Sequence, residues 1–153
     1  MIDKVVIFTL DDVLYALPLK MVASVVYALE ISKLPIAPEI IAGIINIRGQ
    51  IIPVVDMRKR FGLVSREMIT EDNFIIARTE KRVIALWIDD VQGIKEVVPG
   101  NYTDIKALLP YAEFIKGIAK IEDNIILIYD LEQCLNLNEE MALEQALLNK
   151  KAR

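Results

Sequence analysis

The chain has 153 residues, 54% of them hydrophobic, with mean hydropathy +0.39, a formal net charge of −4 and an isoelectric point near 5.0. A chain of this size suits one compact unit or two small intimate ones, burying roughly 68–70% of its unfolded surface, and its acidic balance argues against a polyanion-binding surface as the main function. One cysteine excludes an internal disulfide, and the longest apolar stretches, 21–29 and 40–47, fall short of a membrane span, so a soluble cytoplasmic protein is expected.

In chain order, 5–10 is a β-rich run, Asp11-Asp12 a turn, and 13–17 a second run closed by Pro18, which together predict a hairpin. A short bend and a strand over roughly 24–29 follow, and Pro35 and Pro38 exclude a regular element between them. From Gly43 an apolar run turns over Arg48-Gly49-Gln50 into a second apolar run, another hairpin. Asp56 then reads as the N-cap of a short helix that stops at Gly62. Residues 64–72 connect the halves. A hairpin over 73–88 turns at 79–82, and 93–98 reads as a strand before the turn Pro99-Gly100-Asn101. Residues 102–116 look irregular, with a helical turn near 105–109. The hairpin-helix unit then returns from Gly117, with Glu122-Asp123-Asn124 at its tip and Asp130-Leu131-Glu132-Gln133 reading as a capping box. Finally, Asn138-Glu139-Glu140 is expected to cap a C-terminal helix over about 138–151, whose acidic start and Lys150-Lys151 end suit the helix dipole.

The return is a duplication. Laying 43–63 over 117–137, an offset of 74, matches seven of 21 positions: Gly43/Gly117, Ile44/Ile118, Ile47/Ile121, Ile51/Ile125, Ile52/Ile126, Asp56/Asp130 and Leu63/Leu137. Chance would supply roughly one or two. Upstream, 85–91 lies over 16–22 at an offset of 69, so two halves of similar plan, about five short strands each, point to small barrels. Shared positions, Gly43, Gly117, Asp56 and Asp130 among them, are explained by architecture. The largest chemical difference falls at the hairpin tips, Arg48-Gly49 against Glu122-Asp123, so a specific contact is expected at Arg48.

Catalysis finds little support. There is no histidine to act as general base. The acidic pairs Asp11-Asp12, Asp89-Asp90 and Glu122-Asp123 sit in turns or at strand ends, where acids are ordinary. No Cys/His metal spacing and no Gly-rich phosphate loop occurs, so no cofactor is expected. Cys134 reads as a buried thiol, and Arg58-Lys59-Arg60 as a solvated helix face. An enzyme built on a carboxylate pair and a small-barrel nucleic-acid binder are the readings left from other classes.

The run Gly43-Ile-Ile-Asn-Ile-Arg-Gly-Gln-Ile-Ile-Pro-Val-Val-Asp56 resembles the hallmark segment of the CheW family of bacterial chemotaxis adaptors, and the resemblance extends over about 5–137. It implies a mainly β domain spanning 1–153: two intertwined SH3-like five-stranded β-barrels with short helices after the hairpins and a C-terminal α-helix. The first run of the chain would complete the second barrel, giving subdomains of about 12–72 and of about 1–11 plus 73–137, with 1–72 unable to fold alone. It further implies a non-enzymatic adaptor that couples methyl-accepting chemoreceptors to the regulatory domain of the histidine kinase CheA, without nucleic acid or membrane insertion. A related adaptor of a pilus-motility or other chemosensory phosphorelay is the alternative. Receptor contact would fall on Val22, Ser24, Asn46, Arg48 and Gly49. One departure stands out: Ser24 occupies the place where the family commonly has a glutamate expected to pair with the tip arginine.

Overall fold

Two-residue turns decide which strands pair. Asp11-Asp12, Arg48-Gly49 and Glu122-Asp123 each hold successive residues at positive φ (48° and 66°, 51° and 84°, 50° and 66°), a geometry whose twist matches that of the flanking strands. In the computed structural model, which describes residues 3–105 and 114–151, these turns join β1 (Lys4–Leu10) to β2 (Val13–Pro18), β4 (Ile41–Ile47) to β5 (Gln50–Asp56), and β10 (Ile115–Ile121) to β11 (Asn124–Tyr129). A fourth hairpin, β6 (Asn73–Arg78) with β7 (Val83–Ile88), turns around Thr79, whose hydroxyl accepts from the Lys81 and Arg82 N–H groups at 3.2 and 3.1 Å. Strands β3 (Val22–Tyr27), β8 (Asp90–Glu96) and the short β9 (Tyr102–Asp104) complete the set.

The strands form two sheets, ordered β8-β1-β2-β11-β10-β9 and β3-β6-β7-β5-β4, the pair of SH3-like barrels expected. The exchange between them is mutual: each half lends its opening hairpin to the other half's sheet. Sheet membership therefore differs from the expected partition of 12–72 against 1–11 plus 73–137. Strand β2 stays with β1, and β6-β7 completes the sheet of β3, β4 and β5. Strands joined by so short a turn cannot part, so each hairpin moves whole. The sheet of β8, β1, β2, β11 and β10 also carries a sixth strand, β9, beyond the five expected.

The registers repeat with the sequence offsets. Where β7 runs parallel to β5, Ala85 faces Val54; where β2 runs parallel to β11, Ala16 faces Ile128. Likewise Val25 faces Ile75, and Ile94 faces Val6. Chain leaving each edge strand then joins the ends of the sheet order. After β3, Ser32 exchanges backbone hydrogen bonds of 2.9 and 2.8 Å with Ile44, and after β8, β9 pairs with β10. Gly43 and Gly117 occupy matching places under these crossings, each just past a register shift. A Cβ at Gly43 would lie 2.3 Å from the Ser32 carbonyl oxygen, and one at Gly117 2.4 Å from the Tyr102 hydroxyl.

Three cores result. Val5, Ile7, Ala16, Ala119, Ile126 and Ile128 fill one barrel, and their repeat counterparts Phe74, Ile76, Ala85, Ile45, Ile52 and Val54 fill the other. The third lies between the barrels, where Phe8, Leu10, Tyr15 and Leu17 meet Ile75, Ala77, Ile84 and Leu86. Stacked Tyr15 and Phe61 (centroids 4.8 Å apart) and edge-on Tyr129 (5.2 Å from Phe61) tighten this junction.

The helices correct several expectations. Asp56 caps α1 (Met57–Arg60) through the Arg58 and Lys59 N–H groups at 3.0 and 3.3 Å, and Gly62 follows at φ 71°. At Asp130 there is no capping box: its side chain makes no cap hydrogen bond, and its N–H donates to the Phe114 carbonyl at 2.8 Å rather than to the Gln133 side chain. The C-terminal helix α2 (Leu137–Lys151) starts before Asn138, because the box belongs to Asn136 and Glu139. Glu139 N–H donates to Asn136 Oδ1 (2.7 Å), and Asn136 N–H to Glu139 Oε1 (2.9 Å). Strands β3 and β8 begin two and three residues earlier than expected. The helical turn expected near 105–109 lies, beyond Ile105, outside the described residues.

Candidate functional site

The chemistry divides into a clamped junction and two exposed tips. At the junction, the expected solvated helix face holds for exposed Lys59 but not for Arg58, which is only 4% exposed because α1 points it between the halves. Its guanidinium donates to Asp11 Oδ1 at 2.8 Å and to Asp89 Oδ2 at 2.7 Å. Arg66 grips Asp72 with two bonds of 2.7 Å and reaches Asp89 at 2.9 Å, while the Trp87 indole donates to Asp72 at 2.9 Å. Arg60 holds Glu139 at 2.6 and 3.0 Å, donates to the Cys134 carbonyl at 2.7 Å and lies over the Phe114 ring.

These pairs fix the protonation states. Burial would raise the carboxyls of Asp89, Asp72 and Glu139, but hydrogen bonds from Arg58, Arg66 and Arg60 respectively outweigh it and hold all three below the usual range. Burial pushes the Cys134 thiol up to about 11, so it stays protonated at neutral pH. Through their hydrogen bonds to Arg58, Asp11 and Asp89 serve as struts between the barrels. Among the described residues no cluster of three or more potential metal ligands occurs, and no helix is long and apolar enough to cross a membrane.

The tips differ. In the first barrel Asn46 Oδ1 accepts from Gly49 N–H at 2.8 Å, which braces the turn and presents Arg48 to solvent. In the second, Glu122 takes the place of Arg48 and is paired with Lys95 of β8 at 2.9 Å. The repeat puts Val26 of β3 where Lys95 stands, and Val26 and Ile47 pack against the same barrel core. Arg48 makes no ion pair or side-chain hydrogen bond among the described residues.

The structure thus joins Asn46, Arg48 and Gly49 in one turn. It sets Val22 and Ser24 on β3, the edge strand of the same sheet, Val22 half-buried against the inter-barrel core and Ser24 exposed at a register shift. No hydrogen bond or ion pair links the two groups among the described residues. Sequence reasoning missed Tyr27, 72% exposed beside them, and an exposed apolar stripe on α2. The stripe was visible in principle, since Leu137, Met141 and Leu148 recur at helical spacing.

Comparison with known proteins gives this geometry its setting. The model of the CheW-like domain family matches residues 4–139. The crystal structure of the scaffolding protein TtCheW from Thermoanaerobacter tengcongensis superposes with a TM-score of 0.81 and 34% identity, covering 91% of this chain and 96% of that one. The chemotaxis protein CheW of Bacillus subtilis is 27% identical over 88% of this chain and 87% of its own length, and that of Thermotoga maritima 24% identical over 94% and 93%.

Proposed function

The chain belongs to the CheW-like domain family, and on that premise we propose that it is a non-catalytic adaptor coupling the cytoplasmic tips of methyl-accepting chemoreceptors to the regulatory domain of the histidine kinase CheA. It would act in the cytoplasm, recruited to receptor arrays at the membrane. The observation that carries this reading is the asymmetry of the tips: Arg48 is exposed with no ion-pair or side-chain hydrogen-bond partner among the described residues, whereas its counterpart Glu122 is paired with Lys95. An arginine fork is suited to a carboxylate or a helix-end carbonyl of another protein.

On the receptor side, Asn46 and Gly49 shape the turn that presents Arg48. Val22 and Ser24 supply the neighbouring strand, so a receptor helical hairpin would lie across β3 and the tip. Ser24 offers no charge to Arg48, which leaves the guanidinium to the receptor. On the kinase side, the edge strands β3 and β8 each carry an exposed apolar residue, Tyr27 and Ile94. Unlike edges on one chain favour head-to-tail contacts with a domain of similar fold.

Sedimentation of the purified chain with the CheA regulatory domain, and separately with a soluble receptor-tip fragment, tests the proposal. Two distinct complexes are expected at micromolar concentrations. Absence of both at high micromolar concentration would overturn it.

A further inference from the structure

Helix α2 is firmly anchored, yet it keeps an apolar stripe in water. Leu143 and Ala146 are buried in the inter-barrel core, and Glu139 and Glu140 are tied to Arg60 and Arg82. Leu137, Met141 and Leu148 are nevertheless 66%, 63% and 50% exposed. Four and then seven residues apart, they fall on one narrow arc of a helix. Large apolar side chains aligned in this way on an anchored element mark an interface.

Beside the stripe, between the last turns of α2 and the β4-β5 tip, lies a cleft of about 520 Å³. Ile51, Leu147 and Leu148 give it apolar walls, and Gly49 joins it to the Arg48 turn. Its mouth is cationic. Arg82 is matched by Glu140 and Glu144 at 2.9 Å each, whereas Lys150 and Lys151 have no ion-pair partner among the described residues. Two lysines without an ion-pair partner among the described residues thus stand at an apolar groove, and that combination is complementary to an apolar surface bordered by carboxylates.

We propose that the outer stripe of α2 and the cleft beside it form a docking groove for a helix of the chemoreceptor tip whose apolar face is flanked by carboxylates. The inference rests on the reading of the Arg48 turn as receptor-facing and extends that site onto α2. The partner helix packs on Leu137, Met141 and Leu148, and its carboxylates meet Lys150 and Lys151.

Titration calorimetry with a soluble receptor-tip fragment tests it, using Lys150→Glu/Lys151→Glu and Met141→Ser/Leu148→Ser, all at exposed positions. The lysine pair should weaken binding roughly tenfold at low salt, with the gap closing as ionic strength rises. The apolar pair should weaken it comparably at every salt concentration. If wild type binds and both double variants bind equally well, the groove is overturned while the adaptor reading stands. If wild type does not bind, that reading falls and the groove with it. If wild type alone sediments as a dimer that Met141→Ser/Leu148→Ser abolishes, a second copy covers the stripe and the proposal is wrong.

Discussion

Gly43 and Gly117 show what a single residue does here and how much of it could be read in advance. Their recurrence marked them as architectural, and both lie under the segment that joins the ends of a sheet. The close approach itself was not legible, because Ser32 and Tyr102 come from loops with no periodicity. Gly43 has φ 153° and would press its Cβ into backbone, whereas Gly117 would meet the end of a tyrosine side chain. Gly43→Ala should therefore cost roughly 2–3 kcal/mol and Gly117→Ala less, as read by denaturant melts. Arg58 and Arg60 were misread for a related reason: Asp11, Asp89 and Glu139 lie 47, 31 and 79 residues away, beyond any local pattern. Their ion pairs carry a pH signature. A carboxyl held below its unfolded value of about 4 stabilises the fold above that pH and loses the contribution as pH falls through the folded value. Asp89→Asn should thus be less stable than wild type at pH 7 and lose less stability between about pH 5 and about pH 3.

At the scale of elements, the hairpins were legible and the docking of the C-terminal helix was not. Short apolar runs around Asp11-Asp12, Arg48-Gly49 and Glu122-Asp123 define strands by themselves, since the turns between them hold positive φ. Helix α2 was visible as a helix, but its docking depends on Arg60 and Arg82, which belong to other elements. From it Leu143 and Ala146 are buried in the core while Leu147 packs against it partly buried, so Leu143, the one large side chain of the helix fully buried there, holds an outsized share of the seal. Leu143→Ala should cost about 2–4 kcal/mol and make the inter-barrel core accessible to a hydrophobic dye before global unfolding. Dye binding that rises only with the global transition would show that α2 contributes no separate seal.

For the whole molecule, duplication was legible and the mutual exchange of hairpins was not, because repeat offsets report which segments correspond and not which sheet they join. The exchange makes the halves interdependent. A fragment of residues 1–72 holds β1 to β5 but lacks β6-β7 between β3 and β5, and β11 beside β2. It should show no cooperative melt by circular dichroism, and a cooperative one would contradict the arrangement. The same duplication yields two tips of one geometry and opposite chemistry, and the functional account rests on their divergence. Calorimetric titration of a receptor-tip fragment into wild type, Arg48→Glu and Glu122→Arg tests it most directly. The account predicts affinity reduced at least about tenfold by Arg48→Glu and unchanged by Glu122→Arg, with all three chains equally folded. Equal affinity for wild type and Arg48→Glu, or an equal loss from both variants, would contradict it.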